Sequence, residues 1–148
     1  MRKVIFTTMV LMLLSSVGYG ADWKYIFTAP TGGEWFYDTQ NITHGKDTTF
    51  VWTRWILSDK ERVKFVNEFP KEFRKTNSRK DISFFIEKKE INCSKNVVKI
   101  MSMAAYSSDG ELMWSSGAQW PRQFEDVFPD SKGVTLIEAI CKKGEGGK

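Results

Sequence analysis

The sequence predicts an α+β fold: an antiparallel sheet of about six strands, a C-terminal helix packed on one face, and a helical insertion between the third and fourth strands. Three observations lead there. Segments of strand character come in pairs joined by short turn clusters, which suits antiparallel pairing rather than long crossovers. One stretch in the middle of the chain and one at its end change from a period of two to steps of three and four. The two cysteines, Cys93 and Cys141, stand at the entrance of the fifth strand and inside the last helix, where a bridge would tie the helix to the sheet.

The chain opens with a segment outside that fold. Arg2 and Lys3 precede an almost wholly apolar run from Val4 to Leu14, broken only by Thr7 and Thr8; small and polar residues follow. This is the pattern of a secretory signal peptide. The run is shorter than the roughly 20 apolar residues that span a bilayer, and Asp22 and Trp23 begin a different pattern at once. Gly18 and Gly20 suit the small positions before a cleavage site, so cleavage is expected after Gly20. That leaves 148 − 20 = 128 residues, enough for one domain with a core of its own. The domain is expected over 21–143, with 144–148 as a disordered tail.

Within the domain, "DWKYIF" (22–27) alternates large and polar residues, "APTGG" (29–33) is a turn cluster, and "EWFYDT" (34–39) is a second strand, so the first pair forms a hairpin. "ITHGKD" (42–47) reads as a loop. "TTFVWTRWIL" (48–57) is β-branched and aromatic. It carries Phe50, Trp52 and Ile56 on one side and Val51, Trp55 and Leu57 on the other, so this third strand lies mid-sheet or faces another layer.

Ser58 with Glu61 three residues on makes a capping box. A helix is predicted from about Asp59 to Phe69, where Pro70 ends or kinks it. Val63, Val66, Phe69 and Phe73 mark its apolar face; Lys60, Arg62, Lys64, Glu68 and Lys71 mark a solvated one. "ISFFIEKKEINC" (82–93) and "NVVKIMSMAAY" (96–106) are the fourth and fifth strands, paired through the short "SKN" turn. Asp109-Gly110 turns the chain into a sixth strand, 111–116. Pro121 and Pro129 argue against a helix between them. Ser131 could cap the last helix, 134–143, whose stripe is Leu136, Ile137 and Ile140.

Charge and chemistry narrow the function. Loss of Arg2 and Lys3 lowers the net charge from +4 to +2, too small a footprint for nucleic acid. No second apolar segment is long enough for stable membrane insertion after signal cleavage. In an oxidising compartment two cysteines usually pair, and Cys93–Cys141 would close a loop of about fifty residues; a reactive thiol or a metal ligand are the alternatives. A metal site would need more partners, and His44 is the only histidine. There is no G-x-S-x-G or H-E-x-x-H, and "TGGEW" precedes a strand, so no phosphate cradle is expected. Asp38, Asp47 and Asp109 have no sequence reason to meet; Asp38 and Asp109 read as strand-end and turn residues. No catalytic residue, cofactor or metal site is therefore assigned. Trp35 and Trp114 read as core. The irregular stretch with Trp120, Arg122 and Phe124 is the candidate protein-binding segment, because loops carry function more often than core strands.

The pieces "WKYI", "FYDT" with Ile42 following, "VWTRW", "EINC", Tyr106 with Asp109-Gly110, "PDS" at 129–131 and the closing "IC" together resemble the surface-adhesin protein E-like family of bacterial exported proteins. The resemblance spans Trp23 to Cys141. It implies a small antiparallel sheet with a C-terminal helix across it, and a bacterial protein located in the envelope or secreted; with no catalytic signature among the residues, a non-enzymatic binding module in the periplasm or at the cell surface is expected. Its partner would be a host or envelope protein. The alternative is a structural or accessory subunit of a cell-envelope assembly. No cysteine follows the signal segment to accept a lipid anchor, which favours a free periplasmic protein.

Overall fold

The computed structural model describes residues 20–68, 82–116, 123–127 and 131–141, with side chains of residues 66–68 excepted. Among the described residues eight strands and two helices follow in order: β1 (Trp23–Thr28), β2 (Glu34–Asp38), β3 (Thr43–His44), β4 (Thr49–Ile56), α1 (Asp59–Glu68), β5 (Ile82–Asn92), β6 (Val97–Ser107), β7 (Leu112–Ser115), β8 (Glu125–Asp126) and α2 (Lys132–Cys141). All pairings are antiparallel, and six strands run in the order β1-β2-β4-β5-β6-β7. The two-residue strands β3 and β8 attach to β4 and β6. The expected α+β class and the six-strand meander hold. The loop expected at 42–47 supplies β3, and the last helix begins two residues earlier than predicted.

Local chemistry sets the joints. The capping box forms: the Glu61 N–H donates to Ser58 Oγ at 3.3 Å, and the Ser58 N–H donates to Glu61 Oε2 at 3.1 Å. The β1–β2 turn docks on this box. Thr31 Oγ1 donates to Glu61 Oε1, and Ser58 Oγ donates to the Thr31 carbonyl. Gly33 has to be glycine, since a Cβ there would lie 2.0 Å from Glu61 Oε2 and 2.6 Å from Trp55 Nε1. At the start of α2, the Val134 N–H donates to the carbonyl of Ser131, so the expected cap acts through its backbone.

Odd-numbered residues of β4 and β5 form one sheet face. Trp55 faces Phe85, Thr53 faces Glu87, Val51 faces Lys89 and Thr49 faces Ile91. Both helices pack on this side. Leu136, Ile137 and Ile140 of α2 meet Tyr37, Val51 and Ile91. Phe65 of α1 joins Leu57, Phe85, Ala105 and Trp55. Full burial of each such aliphatic or aromatic side chain stabilises the fold by roughly 1.5–3 kcal/mol.

The helix stripe predicted for α1 is corrected here. Val63 is 64% exposed, and Phe65 turns inward because the rings of Trp55 and Phe85 receive it, each with its centroid 5.1 Å away. The Val66 side chain, Phe69, Pro70 and Phe73 lie outside the described residues.

Between the two clusters sits a buried ion pair. Lys89 Nζ lies 2.8 Å from Glu87 Oε2, with the residues only 8% and 3% exposed. Thr53 Oγ1 donates to the same carboxylate oxygen, and the ammonium rests 4.7 Å from the centroid of Trp35. A disulfide joins Cys93, in the β5–β6 turn, to Cys141 at the end of α2, with a Cα separation of 5.8 Å. It fastens the C-terminal helix to the sheet as the sequence predicts.

Candidate functional site

No helix among the described residues covers the opposite face of the sheet. In an antiparallel sheet such a face normally carries polar side chains. Here it carries rings and cations, arranged by the register in cross-strand rows. One row runs Tyr25, Phe36, Arg54, Ile86, Ala104 and Ser115. Its neighbour runs Glu34, Ile56, Phe84, Tyr106 and Leu112. On the other side of Arg54 come Trp52, Lys88 and Ser102, then Phe50, Glu90 and Lys99. Period two puts all of them outward, because Phe50, Trp52, Arg54 and Ile56 are the even residues of one strand.

Two cations on this face have no carboxylate partner among the described residues. The Arg54 guanidinium stacks 4.1 Å from the centroid of Phe84, which itself stacks on Tyr106 at 5.1 Å. Arg54 Nε is buried without an acceptor, and burial lowers the guanidinium pKa from its ordinary value. Lys88 Nζ is 5.8 Å from the ring centroid of Phe50 and 5.7 Å from that of Trp52. Stacking holds the guanidinium plane while leaving N–H donors at its edge for an incoming acceptor. The third cation, Lys99, is 3.9 Å from Glu90.

At the β3 end the face deepens into a depression of about 380 Å³, lined by Gln40, Asn41, Ile42, Thr43, Phe50, Trp52 and Lys88. Asp38 builds its rim. Its carboxylate accepts from the N–H groups of Gln40 at 3.0 Å and Asp22 at 3.2 Å, and from Asn41 Nδ2. Burial alone would raise the Asp38 pKa; the hydrogen bonds from Asn41 and from the Gln40 and Asp22 amides outweigh it and hold it below the usual value.

The residues singled out in the sequence distribute unevenly. Trp120 and Arg122 lie outside the described residues. Phe124 is 43% exposed and Lys99 Nζ stands 5.5 Å from its ring centroid, so it borders the open face. Trp35 is half-buried on the helix face, stacked between Phe27 and Trp55. Trp114 packs against the cluster around Phe85. His44 is exposed, and its Nδ1 lies 3.1 Å from Thr49 Oγ1. Asp38 and Asp109 serve separate turns, the latter accepting from Ser107 Oγ. No group of three or more His, Cys, Asp or Glu side chains able to hold a metal occurs among the described residues. Sequence reading missed Arg54, Phe84 and Lys88. Their signal was present in "FVWTR", where two rings and a cation occupy alternate positions of one strand.

The sequence profile of the family described as surface-adhesin protein E matches residues 23–142. The chain belongs to that family. Solved structures of protein E from Haemophilus influenzae share the fold. Its crystal form II gives a TM-score of 0.51 at 13% identity, covering 86% of this chain and 95% of that one. Protein E from the non-typeable organism gives 0.54 at 14%, covering 89% and 82%. No curated protein matches the sequence. Membership in this family makes the chain a surface-adhesin-like protein. No described helix is long and apolar enough to cross a membrane.

Proposed function

We propose that the protein is an exported, non-enzymatic binding module that holds a host or envelope protein against the open face of its sheet. One observation carries the reading: Arg54 and Lys88 stand among outward-facing rings with no carboxylate partner among the described residues. Aromatic residues and Arg dominate the energetics of protein interfaces, where a stacked guanidinium meets an acidic or carbonyl-rich partner. The leader, cleaved after Gly20, would deliver the chain to the periplasm or the cell surface, and its family supports a place there. Phe124 would extend the contact along the β6 side, with Trp120 and Arg122 as neighbours in sequence.

The test is capture of partners from envelope and host extracts on the immobilised chain, compared with Arg54→Glu. A partner retained by the parent and lost by the variant supports the reading. Equal retention by both contradicts it. A second reading, an accessory subunit of an envelope assembly, is favoured by the sheet ends. β1 and β7 terminate the strand order, and among the described residues no strand pairs with their outer edges, on which a partner strand could add. Capture that survives Arg54→Glu and fails when proline replaces Tyr25 in β1 would select this second reading.

A further inference from the structure

We propose that the depression at the β3 end of the open face is a subsite for a carboxylate-bearing sugar ring. The floor is aromatic: Phe50 and Trp52 are two residues apart on β4 and present neighbouring rings on one face. A pyranose ring has an apolar face of C–H groups that packs on such a floor. The wall is polar. Among the described residues, the side-chain carboxamide of Gln40 and the Thr43 hydroxyl have no hydrogen-bond partner. Asn41 spends one amide hydrogen on Asp38, which leaves its carbonyl oxygen available. Amides and a hydroxyl around a ring floor suit the donors and acceptors of sugar hydroxyls.

The charge chooses among sugars. Lys88 is directly cross-strand from Trp52, and its ammonium lies over both rings with no carboxylate bound. Glu90, across from Phe50, is engaged by Lys99, and the rim carboxylate of Asp38 is spent on donors from Asp22, Gln40 and Asn41, so the charge left at the depression is Lys88 and the ligand's own charge is negative. The volume, about 380 Å³, sits at the lower end of the roughly 300–1,000 Å³ of small-ligand pockets. That suits one or two rings of an acidic glycan. The rim is also preset: Asp38 fixes the backbone at Gln40 and the side chain of Asn41 before any ligand arrives, which reduces the ordering cost of binding.

The inference rests on the open face being a binding face, but it does not require a protein partner. The probe is a tetrasaccharide alternating glucuronate and N-acetylglucosamine, with its carboxyl-reduced form as the neutral control. The readout is amide and indole NMR of the oxidised chain. The acidic sugar should shift Gln40 to Thr43, Phe50, the Trp52 indole and Lys88, and bind about tenfold or more tightly than the reduced sugar. Lys88→Gln should make the two sugars equivalent. Trp52→Ala should weaken both, with circular dichroism confirming the fold; if that variant unfolds, Lys88→Gln alone decides. Equal binding of the two sugars by the parent, shifts confined elsewhere, or no shifts at millimolar sugar would overturn the subsite. If Arg54→Glu loses a protein partner while the acidic sugar shifts nothing, the subsite falls alone. If the sugar binds but no protein partner depends on Arg54, the protein-binding reading falls alone.

Discussion

Phe84 and Phe85 are chain neighbours on the same strand, yet they point to opposite sides of the sheet and have opposite fates. Phe85 is fully buried under α1, ringed by Trp55, Phe65 and Ala105. Phe84 is half-buried on the open face, between Arg54 and Tyr106. The same contrast repeats along the strand. Glu87 and Lys89 pair with each other in the interior, whereas Lys88 on the other side has rings for neighbours and Glu90 reaches across to Lys99. The helix-covered face pairs its buried charges internally, although the indole N–H groups of Trp35 and Trp55 lack an acceptor among the described residues. The other keeps donors and ring faces available. Stability and recognition are thus assigned to the two sides of one layer, separated by a one-residue shift in pointing direction.

The interior side should break first and hardest. Glu87→Leu leaves the Lys89 ammonium buried and unpaired, and should cost roughly 3–5 kcal/mol in urea denaturation. Adding Lys89→Met should return most of that loss, since an apolar pair of similar volume needs no desolvation of charge. A double variant as unstable as the single one would mean that the pair contributes more than its mutual neutralisation.

The clasp between β5 and α2 comes next. Cys141→Ser opens a link between positions 48 apart, for which the chain-entropy treatment gives about 4 kcal/mol as an upper figure. A ten-residue helix is marginal alone in water, so α2 should fray as well. The melting temperature should fall by on the order of 10 °C, and an unchanged value would remove the clasp from the stability of this face.

The smallest effect belongs to the rim of the depression. The Asp38 carboxyl is held below its usual pKa, so it contributes stability above the unfolded value of about 3.9 and loses it as pH falls through the folded value. Asp38→Asn should therefore lower the urea midpoint at pH 7, and the gap to the parent should narrow below about pH 3.9. A gap that widens on acidification would reverse the assigned sign.

Much of this fold is legible in the sequence, and the illegible parts have physical causes. Turn clusters at 29–33 and 109–110 gave the hairpins, and the last helix announced itself through Leu136, Ile137 and Ile140. Two cysteines, read together with the signal-like leader, gave the clasp. The inward face of α1 was misread because Val63 and Phe65 both lie near plausible stripes; only the ring cluster of Trp55 and Phe85 selects Phe65. "EKKE" (87–90) puts a charge on both faces in turn, so no local pattern tells which pair is buried. The candidate site was sought in a loop, at Trp120, Arg122 and Phe124. Rings on both sides of the third predicted strand read as packing, and only the register reveals that one side collects Arg54, Lys88 and six aromatic neighbours with no covering helix among the described residues.

The division between the faces is tested most directly by alanine at the two adjacent phenylalanines, with urea denaturation of the oxidised chain. Phe85→Ala should cost about 3–5 kcal/mol, as a large deletion in a packed core does. Phe84→Ala should cost about 1 kcal/mol, the scale of a partly exposed ring and its guanidinium contact. A Phe84→Ala loss equal to that of Phe85→Ala would mean that the open face is buried too, and that no surface remains there for a partner.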